Sequence, residues 1–145
     1  MVRGQNRGKI KAPEVNKGAH FTALNIQDYN KIPVIFSLRH IQPGKYCFSR
    51  LEQKQKSDFA EALFRRKDFT WNDYHQSSKQ TLGCELLPFD CLKISSKPVC
   101  VTDDLDKVIV IRFSGNDGRI VGFREQNIYH VLWIDCSFEL YDHGS

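Results

Sequence analysis

The sequence predicts an α+β domain in which an antiparallel β-sheet, closing in a three-strand C-terminal meander, packs against two helices. Two patterns and a size argue for it. Residues 108–135 hold three runs of β-branched and aromatic residues separated by two short turns. Residues 52–81 hold two stretches in which apolar side chains recur at helical spacing. The chain has 145 residues, 41% of them hydrophobic and ten of them Phe, enough to fill one core without covalent staples.

The N-terminal stretch, residues 1–17, carries Arg3, Arg7, Lys9, Lys11 and Lys17 against a single acid, Glu14, among Gly, Asn, Gln and Pro. Such a segment buries too little apolar surface to fold alone. It reads as a flexible basic tail, either idle in solvent or following a phosphate backbone. Residues 18–145 then form the single domain.

Residues 20–30 show no definite pattern. Ile32 to Leu38 reads as a strand with Pro33 at its start, where a missing N–H is tolerable. A turn at Gln42-Pro43-Gly44-Lys45 follows, and Tyr46 to Phe48 is expected to return as a short strand. Glu52 to Arg66 is the first helix, with Phe59, Ala62, Leu63 and Phe64 on its apolar side. Thr70-Trp71-Asn72-Asp73 opens the second as a loose capping box. That helix is expected to run to about Thr81, bury Trp71, Tyr74 and Ser78, and stop at a left-handed Gly83. Residues 84–96 are an irregular connector or an edge strand, and residues 97–106 a loop.

The meander comprises Val108 to Ser114, Arg119 to Glu125 and Ile128 to Asp135. Pairing both hairpins symmetrically about their turns puts Val108, Val110, Arg112, Val121, Phe123, His130, Leu132 and Ile134 on one face. The other face then carries Ile109, Ile111, Phe113, Ile120, Arg124, Tyr129, Val131 and Trp133. Both faces are largely apolar, so both should be covered, one of them by the helices. A bulge in either hairpin would swap part of this assignment.

Composition narrows the function classes. No run of 18 apolar residues occurs, so no membrane partner is expected, and the chain reads as cytoplasmic. Five cysteines at wide spacings, without a C-x-x-C, read as free thiols rather than a disulfide framework or a zinc site. Phosphate-binding glycine motifs and the metalloprotease and serine-hydrolase signatures are missing, so no cofactor is implied. The net charge of +4 permits a polyanionic partner without demanding one.

Candidate chemistry sits at three places. The symmetric register makes Arg112 and His130 near-diagonal neighbours. An imidazole beside a guanidinium suits proton transfer at a phosphodiester, although a satisfied sheet histidine and a snorkelling arginine would look the same. The C-terminal stretch groups Tyr141, Asp142 and His143, either an acid/base set or an idle terminus. The run Arg65-Arg66-Lys67 ends the first helix as an RNA contact or as a solvated complement to its dipole.

These elements carry a family resemblance. Two basic helical segments precede a sheet ending in R-I-V-G-F-R-E-x-N-x-Y-H-V-L-W-I-D, with Tyr141 and His143 close behind. From about residue 50 to residue 145 the chain resembles the small ribonuclease toxins of the RelE/YoeB/ParE superfamily. There a helix pair packs on an antiparallel sheet, and a final strand leads to a catalytic His or Tyr. The resemblance implies a metal-independent endoribonuclease of a bacterial toxin–antitoxin or phage-defence system. Its partners would be RNA or ribosome-bound mRNA and an antitoxin protein. Arg112, Arg119 and Arg124 would clamp RNA, with Tyr141 and His143 as acid/base groups. The chain departs from that pattern in its greater length, in His130 lying within the last long strand, and in an N-terminal 50 residues without counterpart. The rival reading is a non-catalytic interaction protein, such as a phage-encoded inhibitor or an accessory subunit.

Overall fold

A computed structural model of the chain describes residues 27–78, 83–114 and 117–142. The basic N-terminal stretch and His143 lie outside these residues. The architecture is α+β, a five-stranded sheet with two helices, in the order β1 (Ile35–Ser37), α1 (Gln53–Arg65), α2 (Trp71–Gln76), β2 (Cys84–Pro88), β3 (Lys107–Phe113), β4 (Gly118–Glu125) and β5 (Ile128–Asp135). Strand order is β1-β5-β4-β3-β2. Every pairing is antiparallel except β1 with β5, which is parallel.

The chain before β2 departs from expectation in four places. β1 forms no hairpin with Tyr46 to Phe48. It joins β5 instead, through Ile35↔Ile128 and Ser37↔His130, and residues 48–50 wind into a short 3₁₀ turn. Phe64 is 62% exposed, so α1 packs through the buried Phe59 and Ala62 and the half-buried Leu63. α2 ends at Gln76, where the Ser77 hydroxyl donates to the Asp73 carbonyl and competes with the next turn. Ser78 is accordingly exposed. Gly83 is not left-handed; a Cβ there would come within 2.3 Å of the Ser77 carbonyl oxygen, so close backbone approach is what requires glycine. The capping box at Thr70 and Asp73 is present in both directions.

Both faces of the sheet are covered. Ile109, Ile111, Phe113, Ile120, Tyr129, Val131 and Ile134 pack with Phe59, Ala62, Trp71 and Tyr74 of the helices. Val108, Val110, Val121, Leu132 and Trp133 pack with Phe89, Leu92, Val101, Leu140 and Tyr141 from the connector and the C-terminal segment. Relative to the symmetric register, Trp133 and Ile134 have exchanged faces. The cause is a β-bulge: Val121 pairs with Trp133 and Gly122 with Val131, leaving Leu132 as the extra residue. Among the described residues no helix is long and apolar enough to cross a membrane.

All five cysteines are free. Burial pushes the Cys84 and Cys136 thiols up to about 11, whereas the Ser49 hydroxyl, donating to Cys47 Sγ, lowers Cys47. Because the thiolate is the reactive form, alkylation of the native protein near pH 8 should label Cys47 early and Cys84 and Cys136 last. Mass-spectrometric mapping over time checks the order, and early labelling of Cys84 would contradict the packing.

Candidate functional site

The second sheet face carries a charged stripe at one end. Arg112 of β3 and Arg119 of β4 are direct cross-strand partners, and Arg119 is in turn the partner of Asp135 on β5. Glu85, which faces Val110 from β2, brings its Oε1 to 3.6 Å from Arg112 Nη2. Four strands therefore contribute carboxylate, guanidinium, guanidinium and carboxylate in sequence. Two arginines directly opposed would repel, and the flanking acids offset that repulsion.

The C-terminal segment 136–142 straps this stripe. The fully buried Asp135 carboxylate accepts from the Ser137 N–H (3.0 Å), the Ser137 hydroxyl (3.1 Å) and the N–H groups of Glu139 (3.4 Å) and Leu140 (3.0 Å). Farther along, Lys93 N–H donates to the Leu140 carbonyl and Lys93 Nζ pairs with Asp142 at 2.8 Å. Lys45 pairs with Glu139. The strap lays the Tyr141 phenol against the Arg119 side chain, which hydrogen-bonds it. Burial raises the phenol above its ordinary value while Arg119, and more weakly Arg112, pull it down. Arg119 and Tyr141 are buried, and the accessible rim of the stripe is formed by the side chains of Arg112 and Glu85, 17% and 24% exposed.

His130 lies elsewhere. It is the partner of Phe123, at the far end of the β4–β5 pair from Arg119 and Asp135, roughly 15 Å away at a strand's rise per residue. Its Nε2 sits 2.9 Å from Glu125 Oε1, its ring stacks on Phe123 at 4.9 Å, and the His40 ring packs on it at 5.0 Å. Of the sequence-derived catalytic set, the fold thus joins Arg112 to Tyr141 and separates both from His130. The β3–β4 register, which pairs Arg112 with Arg119 and not with Val121, undoes the near-diagonal contact.

The proposed RNA-contacting arginines also disperse. Arg124 is on the helix-covered face, where its guanidinium lies 4.8 Å over Trp71 and donates to Asn30 Oδ1. Arg66 is buried and clamps α1 to the sheet by donating to the Ala62 and Arg112 carbonyls. Arg65 and Lys67 are exposed, Lys67 beside Asp68 at 3.0 Å. Glu85, Asp135 and Phe138 belong to the stripe but were not singled out from the sequence. A signal existed for Asp135: an Asp ending a strand before Cys136-Ser137 is a ready acceptor for the N–H groups that follow.

The chain matches no family model, no curated protein and no solved structure.

Proposed function

We propose that the chain is an endoribonuclease of the toxin type, directed at RNA or ribosome-bound mRNA, whose chemistry is carried by Glu85, Arg112, Arg119 and Tyr141. The observation that carries this reading is the placement of a phenol and a carboxylate on either side of two adjacent guanidiniums. The Glu85 carboxylate takes the proton of a ribose 2′-hydroxyl as its oxygen attacks phosphorus. The Tyr141 phenol gives its proton to the departing 5′-oxygen. A 2′,3′-cyclic phosphate and a free 5′-hydroxyl result. Arg112, on the rim, meets the phosphate and stabilises the charge that develops on it, as a planar guanidinium does best. Arg119 holds Tyr141 in place and adds positive field from beneath. Raised by burial, the phenol stays protonated at neutral pH, the form a general acid needs.

The test is cleavage of RNA by the purified protein in the presence of a chelator, with and without ribosomes. Wild type should cut, Arg112→Gln should lose most of the activity, and His130→Ala should retain it, with circular dichroism confirming each fold. Loss on His130→Ala with Arg112→Gln active would move the site to the other end of the sheet. A wild type that binds a protein partner and cuts nothing would leave the chain a non-catalytic interaction module.

A further inference from the structure

Phe138 occupies a place at odds with its residue type. Its backbone is left-handed, at φ +62°, a region that residues with a Cβ adopt only when their surroundings hold them there. Asp135 supplies the hold, since its buried carboxylate accepts from N–H groups on both sides, Ser137 before Phe138 and Glu139 and Leu140 after it. The result is an aromatic ring 43% exposed at the surface, with the Arg119 guanidinium carbon 5.1 Å from its centre. A glycine would relieve the backbone and a polar residue would suit the exposure, so the chain breaks two local rules at one position. Such breaches concentrate at functional sites.

We infer that Phe138 is a stacking platform for the nucleobase next to the scissile phosphate, an inference that rests on the ribonuclease reading above. Single-stranded RNA is held chiefly by bases stacking on aromatic rings and by cations along the backbone. Here the two devices are coupled, because the ring packs on the arginine whose cross-strand neighbour is Arg112. A base laid on Phe138 extends a guanidinium–ring stack and delivers its own phosphate toward the Arg112 rim. Every base has a π-face, so the platform contributes affinity and register without fixing base identity.

The experiment uses the full chain and a fully 2′-O-methylated oligoribonucleotide, which lacks the nucleophile and cannot be cut. It carries 2-aminopurine at successive positions, alongside a matched oligonucleotide abasic at the position that responds. Wild type should quench the fluorophore at one position. Phe138→Ala and Phe138→Leu should lose that quench and bind about 5–150-fold more weakly, while Phe138→Trp keeps both. The abasic oligonucleotide should bind wild type and Phe138→Ala equally. On cleavable RNA, Phe138→Ala should raise KM and leave kcat nearly unchanged. If Phe138→Ala or Phe138→Leu binds and quenches as wild type does while wild type cleaves RNA, the platform falls and the ribonuclease reading stands. If wild type neither binds nor cleaves RNA, both fall together.

Discussion

Tyr141→Phe should slow RNA cleavage by roughly 10²–10⁴-fold, the usual loss when one general acid or base is removed, with KM changed only a few-fold. The substitution deletes a single oxygen from a ring that packs in the cluster with Leu140 and Leu132, so the fold should survive with a modest loss of stability. What disappears is the proton for the departing 5′-oxygen. A substrate whose leaving group needs no protonation, such as a nitrophenyl phosphodiester of the nucleotide, should therefore be cut by Tyr141→Phe at close to the wild-type rate. The pH profile gives a second check. A general acid works while protonated, so the rate falls as pH rises through its pKa. Burial moves Tyr141 upward, so the alkaline fall should come above the ordinary phenol value of about 10. An undiminished Tyr141→Phe rate on RNA would remove the phenol from the mechanism.

The parts of this site that the sequence disclosed are those with a local signature. β5 was bounded correctly at Ile128 and Asp135, and β3 and β4 within one residue at either end, because β-branched runs between short turns announce themselves. β1 was placed as a strand, but its parallel pairing with β5 has no turn to mark it and depends on residues about 90 positions away. Phe64 lies within α1 but turns to solvent, and Ser78 falls two residues past Gln76, where α2 ends about five residues short of the expected Thr81. The site itself was half legible. Arg112 and Tyr141 were singled out by chemical type. Glu85 was hidden because its worth depends on a strand, β2, that reads weakly alone. His130 drew notice for the same chemical reason as Arg112, and only the register separates them.

The β4–β5 register beyond the bulge turns on one residue, and Gly122→Ala should destabilise the fold by about 3 kcal/mol or more, above the common cost of overpacking. An added Cβ would sit 2.1 Å from the His130 carbonyl oxygen and 3.1 Å from the Tyr129 ring. Neither neighbour can yield cheaply. The first is main chain of the paired strand. The second is fully buried and pinned by a hydroxyl that donates toward the Ile109 and Ile120 carbonyls, at 2.7 and 3.1 Å. Strands must therefore part where the bulge begins. The consequence reaches the site, because side chains alternate along a strand and the extra residue at Leu132 reverses the alternation beyond it. Without the bulge Asp135 would face the helices; with it, Asp135 stands beside Arg119 and anchors the strap that carries Phe138 and Tyr141. Thermal unfolding should show a midpoint lower by roughly 6–12 °C, taking about 2–4 °C per kcal/mol at this size. Gly44→Ala, strained by its φ of +115° but with open space around the new methyl group, should cost less. Equal melting of Gly122→Ala and wild type would mean that the two strands do not approach there, and the placement of Asp135 beside Arg119 would go with it.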